Sequence, residues 1–267
     1  MTEYVATYEA AIRACVFCGL FGLFAFSEWV KPRRPLVASK SDRWITNIAI
    51  VIIDSIAVRL IFQAAAVGVA LWAQSRGLGL FNIVDLPWWL VGIVCIVVLD
   101  FAVWFSHVLS HKVPIFWRFH RMHHSDRDID VTTAIRFHPI EIIVSMAYKA
   151  AWVIALGAPA WSVIIFEIIL NGVAMFNHSN LKLPKALDAI ARQLIVTPDM
   201  HRVHHSVIRE ETDSNYGFNF PFWDKLFGTY IAQPQDGHDK MTIGLPNWQD
   251  ERPTRLAWSL ALPFKKD

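Results

Sequence analysis

Residues 87–124 read PWWLVGIVCIVVLDFAVWFSHVLSHKVPIFWRFHRMHH. The first part, 87–111, is an apolar run in which Asp100 is the one acidic residue, and it exceeds the roughly 20 residues that a helix needs to cross a bilayer. The last part is basic and aromatic, and its His120, His123 and His124 join His107 and His111 at the end of the apolar run to make five histidines. A membrane helix ending in a cluster of imidazoles is therefore the feature from which the rest of the chain is read.

Composition agrees with a membrane setting. The 267 residues are 54% apolar and 18% charged, whereas soluble domains run at about 45–50% and 25%. Disordered, collagenous and coiled-coil classes are excluded by the same figures. A net charge of +2, from 25 basic and 23 acidic residues, provides no basic field for nucleic acid. Cys15, Cys18 and Cys95 all lie in apolar stretches, which reads as packing and not as a disulfide framework.

Four more apolar stretches accompany 87–111: residues 14–30, 44–73, 141–157 and 160–176. Positive charge follows the first stretch instead of preceding it, so it reads as a retained anchor and not a cleaved signal. The second is interrupted by Asp54, Arg59 and Gln63, and the last two flank Pro159 as a helical hairpin with both ends on one side. The 31–43 linker carries five Lys/Arg and the 74–86 linker carries only Arg76. The positive-inside rule then puts the first linker, and every histidine-rich segment, on the cytoplasmic face. The expected fold is all-α, a polytopic bundle of four to five membrane helices under a cytoplasmic histidine-rich di-metal cap. Its expected divisions are N-terminal helices over 1–86, a catalytic part over 87–232 and a cytoplasmic tail over 233–267.

Ten of the eleven histidines fall between His107 and His205. They form His107-x-x-x-His111, His120-x-x-His123-His124 and His201-x-x-His204-His205, with His138 and His178 between; His238 reads as a loop residue. The phrases HRMHHS and HRVHHS recur with nothing else repeated, which suggests two similar devices meeting in space. On a helix, residues three and four apart share a face. Eight clustered imidazoles exceed what one ion takes, since a zinc ion is satisfied by about four; two ions with four or five ligands each fit the count. Without metal the imidazoles would repel one another once protonated.

Neighbouring faces add candidates. Asp100, Trp104, His107 and His111 align on one helical face, with Asp100 placed to accept a ligand's second ring N–H. Glu167, Asn171 and His178 align on the last span, which makes His178 a ninth ligand candidate and Glu167 and Asn171 supporting groups or a proton path. His138, ahead of Pro139, reads as structural or supporting. Arg118, Arg121, Arg127, Arg202 and Arg209 would form a basic face able to dock an acidic electron carrier.

These clusters, with Thr133-Ala134-Ile135-Arg136, Asn215-Tyr216-Gly217 and the run from Phe222 to Tyr230, resemble the fatty acid hydroxylase / sterol desaturase superfamily over about residues 95–232. Alkylglycerol monooxygenase-like and bacterial sterol desaturase-like members look most similar, and the HX3H spacing departs from acyl-CoA desaturases. The resemblance implies a non-haem di-iron oxidase that uses O2 on a lipid C–H bond. It implies two iron ions held by His107, His111, His120, His123, His124, His201, His204 and His205, with His178 where relatives place a further ligand. Ala174 stands where some members have another polar ligand. No haem-attachment motif or dinucleotide fingerprint is present, so reductant is expected from outside: a ferredoxin, a cytochrome b5-like protein or a reduced pterin. Hydroxylation or ether cleavage is favoured over desaturation. A metal transporter or sensor is the rival of a different class, and it expects ligands at the bilayer midplane on broken helices. A zinc protease is disfavoured because no H-E-x-x-H occurs.

Overall fold

The computed structural model describes residues 2–62 and 66–266; among them every regular element is a helix, with two isolated β-bridges, Pro32–Leu181 and Ser206–Ile243. The long helices are α1 (Thr2–Val30), α2 (Lys40–Ile61), α3 (Ala66–Ser75), α4 (Trp88–Lys112), α6 (Pro139–Leu156) and α7 (Ala160–Asn177). Among the described residues five stretches are long and apolar enough to cross a membrane, with α2 and α3 in one of them. Shorter helices carry the polar end: α5 (Pro114–His124), α8 (Lys185–Leu194), α9 (Pro198–His204), α10 (Arg209–Thr212) and α11 (Phe222–Leu226).

The expected second span is two helices. Backbone at Phe62 is extended (φ −104°, ψ 106°) and ends α2, and the chain is helical again from Ala66. The part of the expected span at 63–65 lies outside the described residues. The hairpin over 141–157 and 160–176 is present as α6 and α7. Pro139 opens α6, the His138 side chain caps it, and Gly157 ends it in the left-handed region at φ 64°. Gly157 also meets Gly79 (φ 95°), where a Cβ would lie 2.1 Å from the Gly157 nitrogen, so the 74–86 linker and the hairpin turn touch.

The opposite end holds the histidines and the 31–43 linker together. Asp128 accepts the backbone N–H groups of Val37 and Ala38. Arg43, fully buried, binds Asp126 at 2.6 Å and Asp130 at 2.5 Å. Arg136 donates to Asn47 on α2, Ser125 beside α5, and Pro253 and Ser259 of the C-terminal segment. Buried charges of this kind persist only when paired and hydrogen-bonded, so these two arginines tie the first linker, the loop after α5 and the tail into one platform. Between the two ends, Cys95, Leu99, Val153, Val163 and Phe166 form the apolar core of α4, α6 and α7. Both α1 and α3 pack on α7.

Candidate metal centre

Four elements deliver the imidazoles. The last two turns of α4 carry His107 and His111, α5 carries His120, His123 and His124, His178 caps the C-terminus of α7, and α9 with its cap residue carries His201, His204 and His205. All nine are at most 3% exposed. Their ligand atoms sort into two groups, each within 4.8 Å: His107, His111, His120, His124 and His204 in one, and His123, His178, His201 and His205 in the other. Each HxxHH phrase is thus divided. His120 and His124 share the five-histidine group and send His123 to the other; His201 and His205 share the four-histidine group and send His204 across. The +3 and +4 side chains flank the first residue on opposite sides, about 100° from each other at 3.6 residues per turn, so one phrase can serve two neighbouring groups.

The Nε2 atoms face one another. His107 and His120 approach to 3.1 Å, His123 and His178 to 3.2 Å, and His178 and His201 to 3.0 Å. Nε2 of His111, His124 and His204 has no hydrogen-bond partner among the described residues. Burial and the neighbouring imidazoles hold His123, His124, His201, His204 and His205 well below the usual histidine pKa. For His178 burial lowers it to about 4. Neutral rings with converging lone pairs repel unless a cation lies among them, and neutral imidazole is the form that ligates. The donor set therefore fits two metal ions.

The other ring nitrogen fixes the orientation of six of the nine rings, all but His124, His201 and His205. His107 Nδ1 is 2.7 Å from the Tyr216 carbonyl, His204 Nδ1 2.7 Å from that of Ser214, and His178 Nδ1 2.7 Å from that of Ala174. His123 Nδ1 lies 3.2 Å from the Arg136 carbonyl. Two rings use carboxylates: His120 Nδ1 is 2.6 Å from Glu141 Oε1, and His111 Nδ1 is 3.3 Å from Asp213 Oδ1. Donation from Nδ1 leaves the Nε2 lone pair for metal and increases its basicity. Sequence reasoning missed Glu141 and Asp213. Glu141 follows His138-Pro139 in the first turn of α6, where acidic residues are common for helix-dipole reasons alone.

The carboxylates expected in this role lie elsewhere. Asp100 accepts the Trp223 indole N–H at 2.8 Å and touches no histidine. It shares an azimuth with His107 but sits about 10 Å lower along α4, at 1.5 Å rise per residue. Glu167 binds Lys149 at 2.5 Å and Arg13 at 2.8 Å, joining α1, α6 and α7, and Asn171 donates to the Glu167 carbonyl. Both lie well below His178 on α7. The expected basic docking face also changes: Arg121 and Arg202 are buried, Arg121 donating to the carbonyls of Leu262 and Lys265 and Arg202 pairing with Asp199. His138 caps α6 and approaches the Leu260 carbonyl, and His238 is buried near Asp199, not in an open loop.

The 215–230 segment is a clamp. Asp224 accepts the N–H groups of Tyr216 and Gly217 and is bound by Trp104 and Thr229. Asn215, left-handed at φ 48°, is held by Met200 and Ile231. The clamp presents the carbonyls of Ser214 and Tyr216 to His204 and His107. Phe137 stacks on His123 at 4.5 Å and Phe218 lies 4.9 Å from His107, closing the rings from water.

Fold and site together define a multi-pass membrane protein with two adjoining groups of buried histidines, each of a kind that could hold a metal ion, at one end of its bundle. The fatty acid hydroxylase family profile matches residues 92–229, and the chain belongs to that family. It is 32% identical to an ornithine lipid hydroxylase of Rhizobium tropici over 141 residues, 52% of this chain and 41% of that one. It is 28% identical to human alkylglycerol monooxygenase over 182 residues (66% and 36%) and 23% identical to rat cholesterol 25-hydroxylase over 145 residues (53% and 47%). The aligned part spans less than half the length of each of these three relatives. No solved structure matches the chain at a significant level.

Proposed function

We propose that this chain is a membrane-bound di-iron oxygenase that inserts oxygen into a C–H bond of a lipid, using O2 and an external reductant. The carrying observation is the division of nine buried histidines into converging groups of five and four. The proposed ligands of one iron are His107, His111, His120, His124 and His204, and of the other His123, His178, His201 and His205. Imidazole sites bind several first-row metals; lipid hydroxylases and monooxygenases among the relatives support a redox-active iron. Bound iron would supply the redox capacity to activate O2.

The protein's own part is to hold and shelter that site. The Nδ1 contacts to Glu141, Asp213 and the carbonyls of Arg136, Ala174, Ser214 and Tyr216 lock His120, His111, His123, His178, His204 and His107 with Nε2 inward. Phe137, Phe218 and Trp117 exclude water from the rings. A lipid chain would approach from the apolar side among α4, α6 and α7. In this reading the catalytic part is 87–232, braced by 1–86 and by 233–267, and the histidine end faces the cytoplasm, as the basic 31–43 linker suggests. The exposed Arg118 and Arg209 remain as cations on that face for an electron donor.

Labelled dioxygen supplied to membranes containing the chain, followed by lipid mass spectrometry, tests the proposal. A product carrying one labelled oxygen supports insertion. A product lacking two hydrogens and unlabelled identifies a desaturase instead.

A further inference from the structure

Helix α8 is amphipathic with its faces reversed from those of a soluble domain. Leu187, Ile190 and Leu194 lie along one stripe and are 51%, 66% and 68% exposed. The polar side turns inward: Arg192 pairs with Asp188 and reaches the Tyr230 hydroxyl at 3.1 Å and the Ala232 carbonyl. Beside it, α11 exposes Phe222 and Leu226, with Phe227 following, and Lys225 ties α11 to the C-terminus of α8 through the Arg192 carbonyl and Gln193. A surface helix normally turns its apolar stripe to the core, and contiguous apolar patches on a protein surface mark interaction sites.

The depth of this patch identifies what covers it. Trp223 and Asp224 of α11 bind Asp100 and Trp104 of α4, and the Trp223 and Phe227 rings pack on Phe101 and Trp104 at 4.9 and 4.7 Å. Asp100 and Trp104 stand about 18 and 24 Å from Trp88 along α4, at 1.5 Å per residue. Trp88 and Trp89 are exposed aromatics at the far end of α4, as expected at a membrane boundary. A hydrocarbon core of about 30 Å measured from there extends past Trp104. The α11 patch therefore lies level with the upper part of the apolar band, where Phe227 and the exposed Phe105 of α4 both pack on Phe101. Lys182, Lys185 and Lys225 are exposed around it, an arrangement suited to lipid headgroups.

We infer that α8 and α11 form a ledge immersed in the acyl–headgroup boundary of the same bilayer, in addition to the spanning helices, with the lipid surface as the occupant of the Leu187–Ile190–Leu194–Leu226 face. The ledge is tied to the five-histidine group through Asp224 of α11, which accepts the Tyr216 N–H while the Tyr216 carbonyl meets His107. This inference stands on packing and exposure and does not depend on the metal or the reaction.

The test uses the full chain in lipid nanodiscs containing anionic lipid, with Cys15, Cys18 and Cys95 changed to Ala. Ile190→Cys, Leu226→Cys and Lys185→Cys are each labelled with an environment-sensitive fluorophore. Labels at 190 and 226 are expected to be quenched several-fold more by shallow nitroxide-labelled lipid than by aqueous iodide, with the order reversed at 185. Iodide quenching at 190 and 226 equal to that at 185 would overturn the ledge. Protection of both positions from both quenchers would also overturn it and assign the face to a second copy of the chain.

Discussion

Glu141 offers the sharpest test of how the five-histidine group is held. Its Oε1 lies 2.6 Å from Nδ1 of His120, the shortest of the ring contacts described above, and its side chain is 13% exposed. Glu141→Gln keeps the shape and an acceptor oxygen but removes the negative charge that increases the basicity of the ring. Loss of such an outer contact costs about 10- to 100-fold in metal affinity, which is about 1.4–2.8 kcal/mol. The four-histidine group has no member bonded to Glu141, so its affinity should stay as it was. Chelator titration of the purified, metal-loaded chain, followed by elemental analysis at each point, reads both groups at once. The variant is expected to release one metal at 10- to 100-fold lower chelator and to hold one per chain over a wide range. Asp213→Asn should shift the same metal less, because its contact is 3.3 Å and Asp213 is shared with Lys112 and Arg209. Equal loss of both metals in Glu141→Gln, or no shift at all, would refute the assignment of Glu141 to one group.

Three further outcomes are expected. Asp100→Leu leaves the Trp223 indole N–H unpaired and should lower stability in detergent by about 1–3 kcal/mol while the chain still binds two metals; loss of metal would return Asp100 to the centre. Gly92→Ala places a Cβ 1.9 Å from the Trp161 ring at the α4–α7 contact and should cost about 1–3 kcal/mol by overpacking, read as a lower thermal midpoint. Arg43→Leu strands Asp126 and Asp130, and breaking a buried pair costs about 3–5 kcal/mol. Monodisperse yield should fall sharply and partly recover in Arg43→Leu/Asp126→Asn, whereas wild-type yield in the single variant would contradict the platform role.

What the sequence made legible, and what it hid, follow from one geometric fact. Helical spacing reports which side of a helix a residue occupies, and so His107 with His111, and His178 opposite them, could be read directly. The same spacing says nothing about depth. Asp100, Glu167 and Asn171 have the right azimuth but lie one or more turns too far down, and they bind Trp223, Lys149 and α7's own backbone instead. Carbonyl partners such as Tyr216 and Ser214 leave no trace in the sequence because every residue carries a carbonyl. Charge was misread for a related reason. Arg121 and Arg202 look like surface cations until the tail and Asp199 cover them. The break at Phe62 is a backbone choice inside an apolar run that carries no glycine or proline signal at that point.

The central claim is that two adjoining residues, His204 and His205, belong to different metals. Metal content per chain, measured on iron-replete wild type, His204→Ala, His205→Ala and the double variant after moderate chelation, tests it most directly. The account predicts two metals in the wild type, one in each single variant and none in the double variant, with His204→Ala matching His111→Ala and His205→Ala matching His201→Ala spectroscopically. A wild type that holds a single metal, or single variants whose remaining metal has the same spectrum, would contradict it.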